Sequence, residues 1–172
     1  MSIKIYPTTL EGVLKIIPSV FEDYRGEYIE TYNEKAYRAA GIDLNFVQDD
    51  ISISRQHVLR GLHGDQQTWK LVTCLAGSFY LMVLNWDEAS PQYRKWESFT
   101  LSDKSRTQIL IPPKFGNAHV VLTDTAIFHY KQTGYYDRAS QFTVCWDDPE
   151  LNMWWPITNP ILSKRDTQGE II

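Results

Sequence analysis

An all-β jelly-roll barrel with one short N-terminal helix and a C-terminal wrap is the fold that this 172-residue chain predicts. Three observations carry the prediction. Short runs of β-branched and aromatic residues recur along the chain, and turn residues separate them. Aromatic side chains are plentiful too, with six Trp, ten Tyr and seven Phe. Short strands bounded by Gly, Pro, Asn and Asp read as a sandwich or barrel.

The elements follow in chain order. Asn33 is placed to cap a helix over 34–40, and Gly41 can accept the left-handed turn that ends it. Ile51-Ser52-Ile53-Ser54 alternates strictly, the period of a strand. Lys70-Leu71-Val72-Thr73-Cys74 is the next β-like run, and Ala76-Gly77 separates it from the apolar stretch 78–85. Further strands are expected at 108–111, 126–130 and 142–146, between Ser90-Pro91, Pro112-Pro113, Gly116-Asn117 and Asp147-Asp148-Pro149. Trp154-Trp155-Pro156 and Asn159-Pro160 then mark a segment that wraps back across the barrel. No repeat, low-complexity tract or linker interrupts the chain, so 1–172 reads as a single domain.

Seventeen basic and 21 acidic residues give a net charge of −4. This balance argues against a general nucleic-acid binder but leaves room for a local basic pocket. Cys74 and Cys145 are isolated in apolar runs, which fits a reducing compartment and neither a disulfide framework nor a zinc site. The opening Met1-Ser2-Ile3-Lys4 has no secretory pattern, and no apolar run reaches membrane-spanning length. A cytoplasmic protein without a membrane partner is the expectation.

Arg60-Gly61-Leu62-His63-Gly64-Asp65, with Lys70 just beyond, is the most informative stretch. It brings together an imidazole suited to proton transfer near neutrality, an ammonium that can hold an oxyanion and a guanidinium suited to a diphosphate. Together they suggest proton abstraction beside a carbonyl on a phosphorylated substrate. The plainer reading is a solvated loop before a strand.

The order of motifs resembles the nucleotide-sugar 3,5-epimerases typified by dTDP-4-dehydrorhamnose 3,5-epimerase, which are cupin-fold jelly rolls. The stretch from Phe21 to Glu30 is similar to the family's F-x-D-x-R-G-x-F-x-E, and Gln48-Asp49-Asp50 to its Q-D-N. Val58-Leu59-Arg60-Gly61-Leu62-His63 matches V-L-R-G-L-H. The stretch from Ile111 to His119 corresponds to I-P-x-G-F-A-H with two residues more. Tyr130-Lys131-Gln132-Thr133-Gly134-Tyr135-Tyr136 follows Y-K-x-T-x-x-Y, and Leu162-Ser163-Lys164-Arg165-Asp166 follows L-S-x-x-D.

The resemblance implies His63 as general base, Asp166 as the carboxylate that orients it, Lys70 beside the C4 carbonyl and Tyr130 as general acid. Without it, His63 reads as a strand-edge histidine, Asp166 as a tail residue and Tyr130 as a core aromatic. It further implies Arg60, Arg25, Glu30, Gln48 and Phe21 as substrate or nucleotide contacts, Tyr136 near the sugar phosphate and His119 lining the pocket. The segment carrying Arg25 is expected to reach a neighbouring subunit, so a homodimer is expected. His57 and His129 are expected to have no chemical role. No cofactor and no metal are expected, because the closely spaced H-x-H pair of metal cupins is missing.

Two departures bear on substrate. The loop from His63 to Lys70 is shorter than the family's, and Asp50 stands where the pattern has Asn. Gly64-Asp65, the run from Thr68 to Cys74 and Phe115-Gly116-Asn117-Ala118-His119 are similar to a subgroup acting on GDP-4-keto-heptoses in bacterial surface-polysaccharide synthesis. The expected substrate is therefore a GDP-4-keto-heptose or 6-deoxyheptose. A dTDP-4-keto-6-deoxyglucose, inversion at C3 alone and ketoisomerisation stay open, as does a non-catalytic sugar-binding module, although retention of His63, Lys70, Tyr130 and Asp166 argues against the last.

Overall fold

The structure is a computed structural model that describes residues 3–168; Met1 and Ser2 of the opening segment lie outside it. The chain opens with β1 (Lys4–Pro7), β2 (Leu14–Ile17), a hairpin of β3 (Ser19–Asp23) and β4 (Gly26–Glu30), and helix α1 (Glu34–Ala39). Strands β5 (Gln48–Arg55), β6 (Leu59–Gly64), β7 (Lys70–Ala76) and β8 (Ser78–Asn85) follow. After them come β9 (Trp96–Ser102), β10 (Gln108–Ile111), β11 (Phe115–Val121), β12 (Thr125–Gln132), β13 (Phe142–Thr143) and helix α2 (Lys164–Thr167).

The strands form a six-stranded sheet, ordered β1-β2-β10-β7-β12-β5, and a five-stranded sheet, ordered β13-β6-β11-β8-β9. Neither closes on itself, and β3-β4 stands apart as a two-stranded ribbon. The two larger sheets enclose one core, built from Val72, Phe79, Leu81, Val83, Leu101, Ile109, Val121 and Phe128 among others. This is the jelly-roll arrangement the sequence predicts. Burying each such large side chain contributes about 1.5–3 kcal/mol, which makes this shared layer a large source of stability.

Strand β8 is apolar along its length because both of its faces are covered. Phe79, Leu81 and Val83 face the inner core, while Tyr80, Met82 and Leu84 join Leu59, Leu62 and Val120 on the outer side. The C-terminal segment covers that outer side with Trp155, Ile157 and Leu162. Polar anchors fix its path: Tyr80 donates its hydroxyl to the Trp154 carbonyl at 2.9 Å, and Trp155 donates its indole N–H to the Trp146 carbonyl at 2.8 Å. Ile161 then bonds alongside the start of β6, accepting from the Leu59 amide at 3.0 Å and donating to the His57 carbonyl at 2.8 Å. The predicted wrap is thus a tether that ends next to the most informative stretch of the sequence.

Helix α1 begins where expected, with the Asn33 side chain accepting from the Ala36 amide at 3.2 Å. Such a cap is worth about 0.5–2 kcal/mol. Gly41 follows the helix with φ of +93°, the left-handed conformation that glycine adopts without penalty. Tyr37 and Ile42 seal the outer face of the six-stranded sheet over Ile16, Leu71 and Leu110. Three local expectations change. Gly116-Asn117, expected to separate strands, lies inside β11. The stretch from Arg60 is not a solvated loop but most of β6, and the strand expected at 142–146 pairs only at Phe142 and Thr143. Beyond Thr143 the Val144 amide still reaches the Leu62 carbonyl at 3.0 Å, before the chain turns toward the tryptophan segment.

Candidate active site

A cavity of about 290 Å³ opens between the two sheets. His63 on β6 and Asn117 and His119 on β11 line it from the five-stranded sheet; Ser52 on β5, Lys70 on β7 and Phe128 and Tyr130 on β12 line it from the six-stranded sheet. Arg60, Tyr136, Gln141, Ser163, Arg165 and Asp166 complete the lining.

The His63 Nε2 lies 2.7 Å from Asp166 Oδ1. An ionised carboxylate only accepts, so Nε2 carries a proton, and in the neutral form of the ring Nδ1 then keeps a free lone pair. Asp166 is delivered by α2, whose N-cap Ser163 donates its hydroxyl to Asp166 Oδ2 at 2.7 Å. Burial alone would raise this carboxyl, but the bonds from His63 and Ser163, the His63 charge and the Gly61 amide together hold it below the usual carboxylate range. The side chain of Asp166 is only 3% exposed against 25% for His63, so the imidazole faces the cavity and the carboxylate backs it.

Lys70 opens β7 but is no solvated edge charge; it is buried with 9% exposure. Burial pushes its pKa below the ordinary lysine value, the Asp65 carboxylate opposes that shift, and Arg165 adds to it. Asp65 itself is fixed in the loop between β6 and β7, accepting from the Gln67 and Thr68 amides at 2.9 and 2.7 Å and from Gln141 Nε2 at 3.0 Å.

Tyr130 sits across the strand pair from Asp50. Burial first, and then the Asp50 carboxylate, push its phenol up to about 12, which keeps it protonated at neutral pH. Asp50 also accepts from Gln48 Nε2 at 2.7 Å and Gln132 Nε2 at 3.2 Å. The carboxylate in place of the family's amide is therefore an internal acceptor. His119 is 3% exposed and stacks on Phe128 with ring centroids 4.1 Å apart. Burial, followed by the charges of Arg60 and His63, pushes its imidazole down to about 3, so it is neutral in ordinary buffers.

The structure gathers His63, Lys70, Tyr130, Asp166, Arg60, His119 and Tyr136 into one cavity. It does not bring Phe21, Arg25 or Glu30 there. Phe21 and Arg25 belong to the β3-β4 ribbon and border a separate surface cleft, with Arg25 paired to Asp23 at 2.6 Å. Glu30 ends the same ribbon. Gln48 acts one step removed, accepting from the Tyr136 amide at 3.0 Å. His129 points away from Tyr130, toward Asp49 at 3.5 Å, as strand alternation requires. Among the described residues, no group of three or more His, Cys, Asp or Glu side chains converges as a metal site, and no helix is long and apolar enough to cross a membrane.

Sequence reasoning missed Ser52, Asn117, Phe128, Gln141, Ser163 and Arg165 as lining residues. A signal existed for Arg165, which precedes Asp166 and donates to Thr143 Oγ1 at 2.9 Å. For Ser52 the signal was inverted: on β5 the isoleucines face out, Ile51 59% and Ile53 62% exposed, while the serines face the cavity side.

Comparison with known proteins agrees with this geometry. The sequence profile of the family described as dTDP-4-dehydrorhamnose 3,5-epimerase matches residues 7–172. An enzyme of that name from Shigella flexneri is 35% identical over 170 residues, covering 96% of this chain and 94% of its own length. The crystal structure of the Bacillus anthracis dTDP-4-dehydrorhamnose 3,5-epimerase with TDP and PPi bound superposes with a TM-score of 0.95 at 31% identity, covering 99% of this chain and 100% of that one. The Legionella pneumophila dTDP-6-deoxy-D-glucose-3,5-epimerase, solved with dTDP-4-keto-L-rhamnose, gives 0.93 at 34% identity and covers 98% and 92%. With that profile spanning nearly all of its length, this chain belongs to the dTDP-4-dehydrorhamnose 3,5-epimerase family and is a nucleotide-sugar epimerase.

Proposed function

We propose that the cavity inverts C3, C5 or both in a nucleotide-diphosphate 4-keto-sugar, with His63 as base, Asp166 as its orienting partner, Lys70 as oxyanion holder and Tyr130 as acid. The observation that carries this reading is the placement of His63 and Tyr130 on opposing sheets of one cavity. Inversion requires a proton to leave one face of a carbon and return to the other. A base and a phenol on facing walls supply the two faces, whereas one imidazole serves only one. The C4 ketone makes the C3 and C5 protons acidic, and a buried ammonium favours the enolate oxygen over the ketone, the differential stabilisation that catalysis requires. Arg60, Arg165 and Tyr136 would meet the diphosphate at the rim.

The relatives favour a dTDP-sugar, since those named above are dTDP-sugar epimerases and one was solved with dTDP-4-keto-L-rhamnose. The expectation of a GDP-4-keto-heptose finds no support among them. It stays a second reading because the Gly64-Asp65 feature that suggested it is built into the site: Asp65 accepts from the Gln67 amide and from Gln141, and its charge acts on Lys70. Incubation with dTDP- and GDP-4-keto-sugars in deuterated water, read by NMR, separates the two and shows which carbons exchange.

The same assay tests the roles. His63→Asn abolishes deuterium incorporation at every carbon while nucleotide affinity is kept, and Asp166→Asn reduces it less completely. Tyr130→Phe keeps wash-in of deuterium but slows net inversion by about two to four orders of magnitude, whereas Lys70→Met depresses both together. Full exchange in His63→Asn, or equal loss of exchange and inversion in Tyr130→Phe, contradicts the assignment.

The pH profile follows from the same groups. The ammonium of Lys70 is lost as pH rises through its lowered pKa, so kcat/KM for exchange falls on the alkaline side below the ordinary lysine pKa of about 10.4. Tyr130, at about 12, lies too high to cause that limb. A Lys70→Met enzyme therefore shows low activity with no such limb, and a limb that persists in this variant assigns it elsewhere.

We also read the protein as a homodimer in which the β3-β4 ribbon of one protomer completes the cavity of the other. Its support is the exposure of Phe21, Tyr24 and Tyr28 on the ribbon and of Ile51 and Ile53 on the edge strand β5. Co-refolding His63→Asn with Arg25→Ala subunits then yields heterodimers with one intact site, restoring about a quarter of the wild-type sites. Absence of any restoration places Arg25 in its own protomer or outside the site.

A further inference from the structure

One wall of the cavity carries more polar capacity than proton transfer uses. Asn117 Oδ1 and His119 Nε2 are buried atoms with no hydrogen-bond partner among the described residues, and both side chains line the cavity. Unpaired buried polar groups are uncommon and costly, so a pair on one wall calls for a cause. The cause of their placement lies in the backbone. Strand β11 pairs with β8 without interruption from Phe115 to Val121. Asn117 and His119 therefore both lie in an unbroken run of the β11-β8 ladder. Residues two apart on a regular strand share a face, so Asn117 stands beside His119. Asn117 is also the register partner of His63 across the β11-β6 pair. On the opposing sheet, Ser52 Oγ is likewise buried, unpaired and part of the lining.

We propose that Asn117 is a specificity-determining residue, its amide joining His119 and Ser52 in a subsite that receives one hydroxyl of the substrate's sugar. An amide offers both a donor and an acceptor, the complement of a hydroxyl, and it takes no part in proton transfer. A site built to pair a hydroxyl discriminates against the analogue that lacks it, because binding that analogue leaves its polar groups unpaired. Asn117 thus adds a selective contact beside the base without altering the base. This inference rests on the nucleotide-sugar reading and names what that site selects.

The test is a calorimetric titration of non-reacting 4-hydroxy nucleotide sugars, in pairs that differ by one hydroxyl at C2, C3 or C6. The wild-type protein binds the hydroxylated member of one pair roughly tenfold more tightly. In Asn117→Leu that preference falls to within about twofold, chiefly through weaker binding of the hydroxylated member, while the preferences in the other pairs stay. Asn117→Ser is the second variant should the leucine form fail to fold, and it shows the same collapse. Unchanged preferences in a folded variant, equal weakening of both members, or a wild-type protein with no preference in any pair overturns the inference while leaving the epimerase reading intact. A wild-type protein that binds no nucleotide sugar overturns that reading and this inference together.

Discussion

The contact between His63 and Asp166 joins residues 103 positions apart in the chain, and the architecture around the cavity serves to make it. A carboxylate this buried is costly unless each of its oxygens is paired. Oδ1 meets His63 and the Gly61 amide, and Oδ2 meets Ser163. Delivering those partners together requires the C-terminal segment to cross the outer face of the five-stranded sheet and run beside β6. The tryptophans that cover Tyr80, Met82 and Leu84 therefore help to position the cavity's carboxylate from a distance. They bind the segment that carries the carboxylate.

The other constraint is the division of labour between two facing sheets. The five-stranded sheet presents imidazoles and an amide, and the six-stranded sheet presents an ammonium and a phenol. Each group has an environment that suits a different task. Asp166 is held ionised by its donors, Lys70 is desolvated, Tyr130 is held protonated by burial and Asp50, and His119 is held neutral. Opposed shifts of neighbouring groups are the usual mark of assigned acid and base roles.

Much of this was legible in the sequence, for identifiable reasons. Strands β8 and β10 have the bounds that their apolar runs imply, because side-chain period and burial agree there. Asn33 and Gly41 gave the helix, since capping is local chemistry. The pairing of His63 with Asp166 was not readable from spacing at all; only the resemblance linked them, because a long-range contact leaves no local trace. Asn117 escaped because Gly116-Asn117 reads as a turn, whereas both lie inside β11; Ser52 escaped for another reason. Inward polar residues on a strand look like its solvent face until the cavity is known, and on β5 the outward isoleucines strengthen that misreading. The β3-β4 ribbon carries motif residues that the chain alone does not bring to its own cavity.

The account stands or falls on the state of one imidazole. Nitrogen-15 NMR of the protein labelled at histidine, read in the neutral form of the ring, reports the His63 tautomer directly. The predicted result is a proton fixed on Nε2 and a free lone pair on Nδ1, with that preference lost in Asp166→Asn. A proton resident on Nδ1 in the wild-type protein, or a tautomer mixture that Asp166→Asn leaves unchanged, would contradict the dyad and with it the role given to the C-terminal tether.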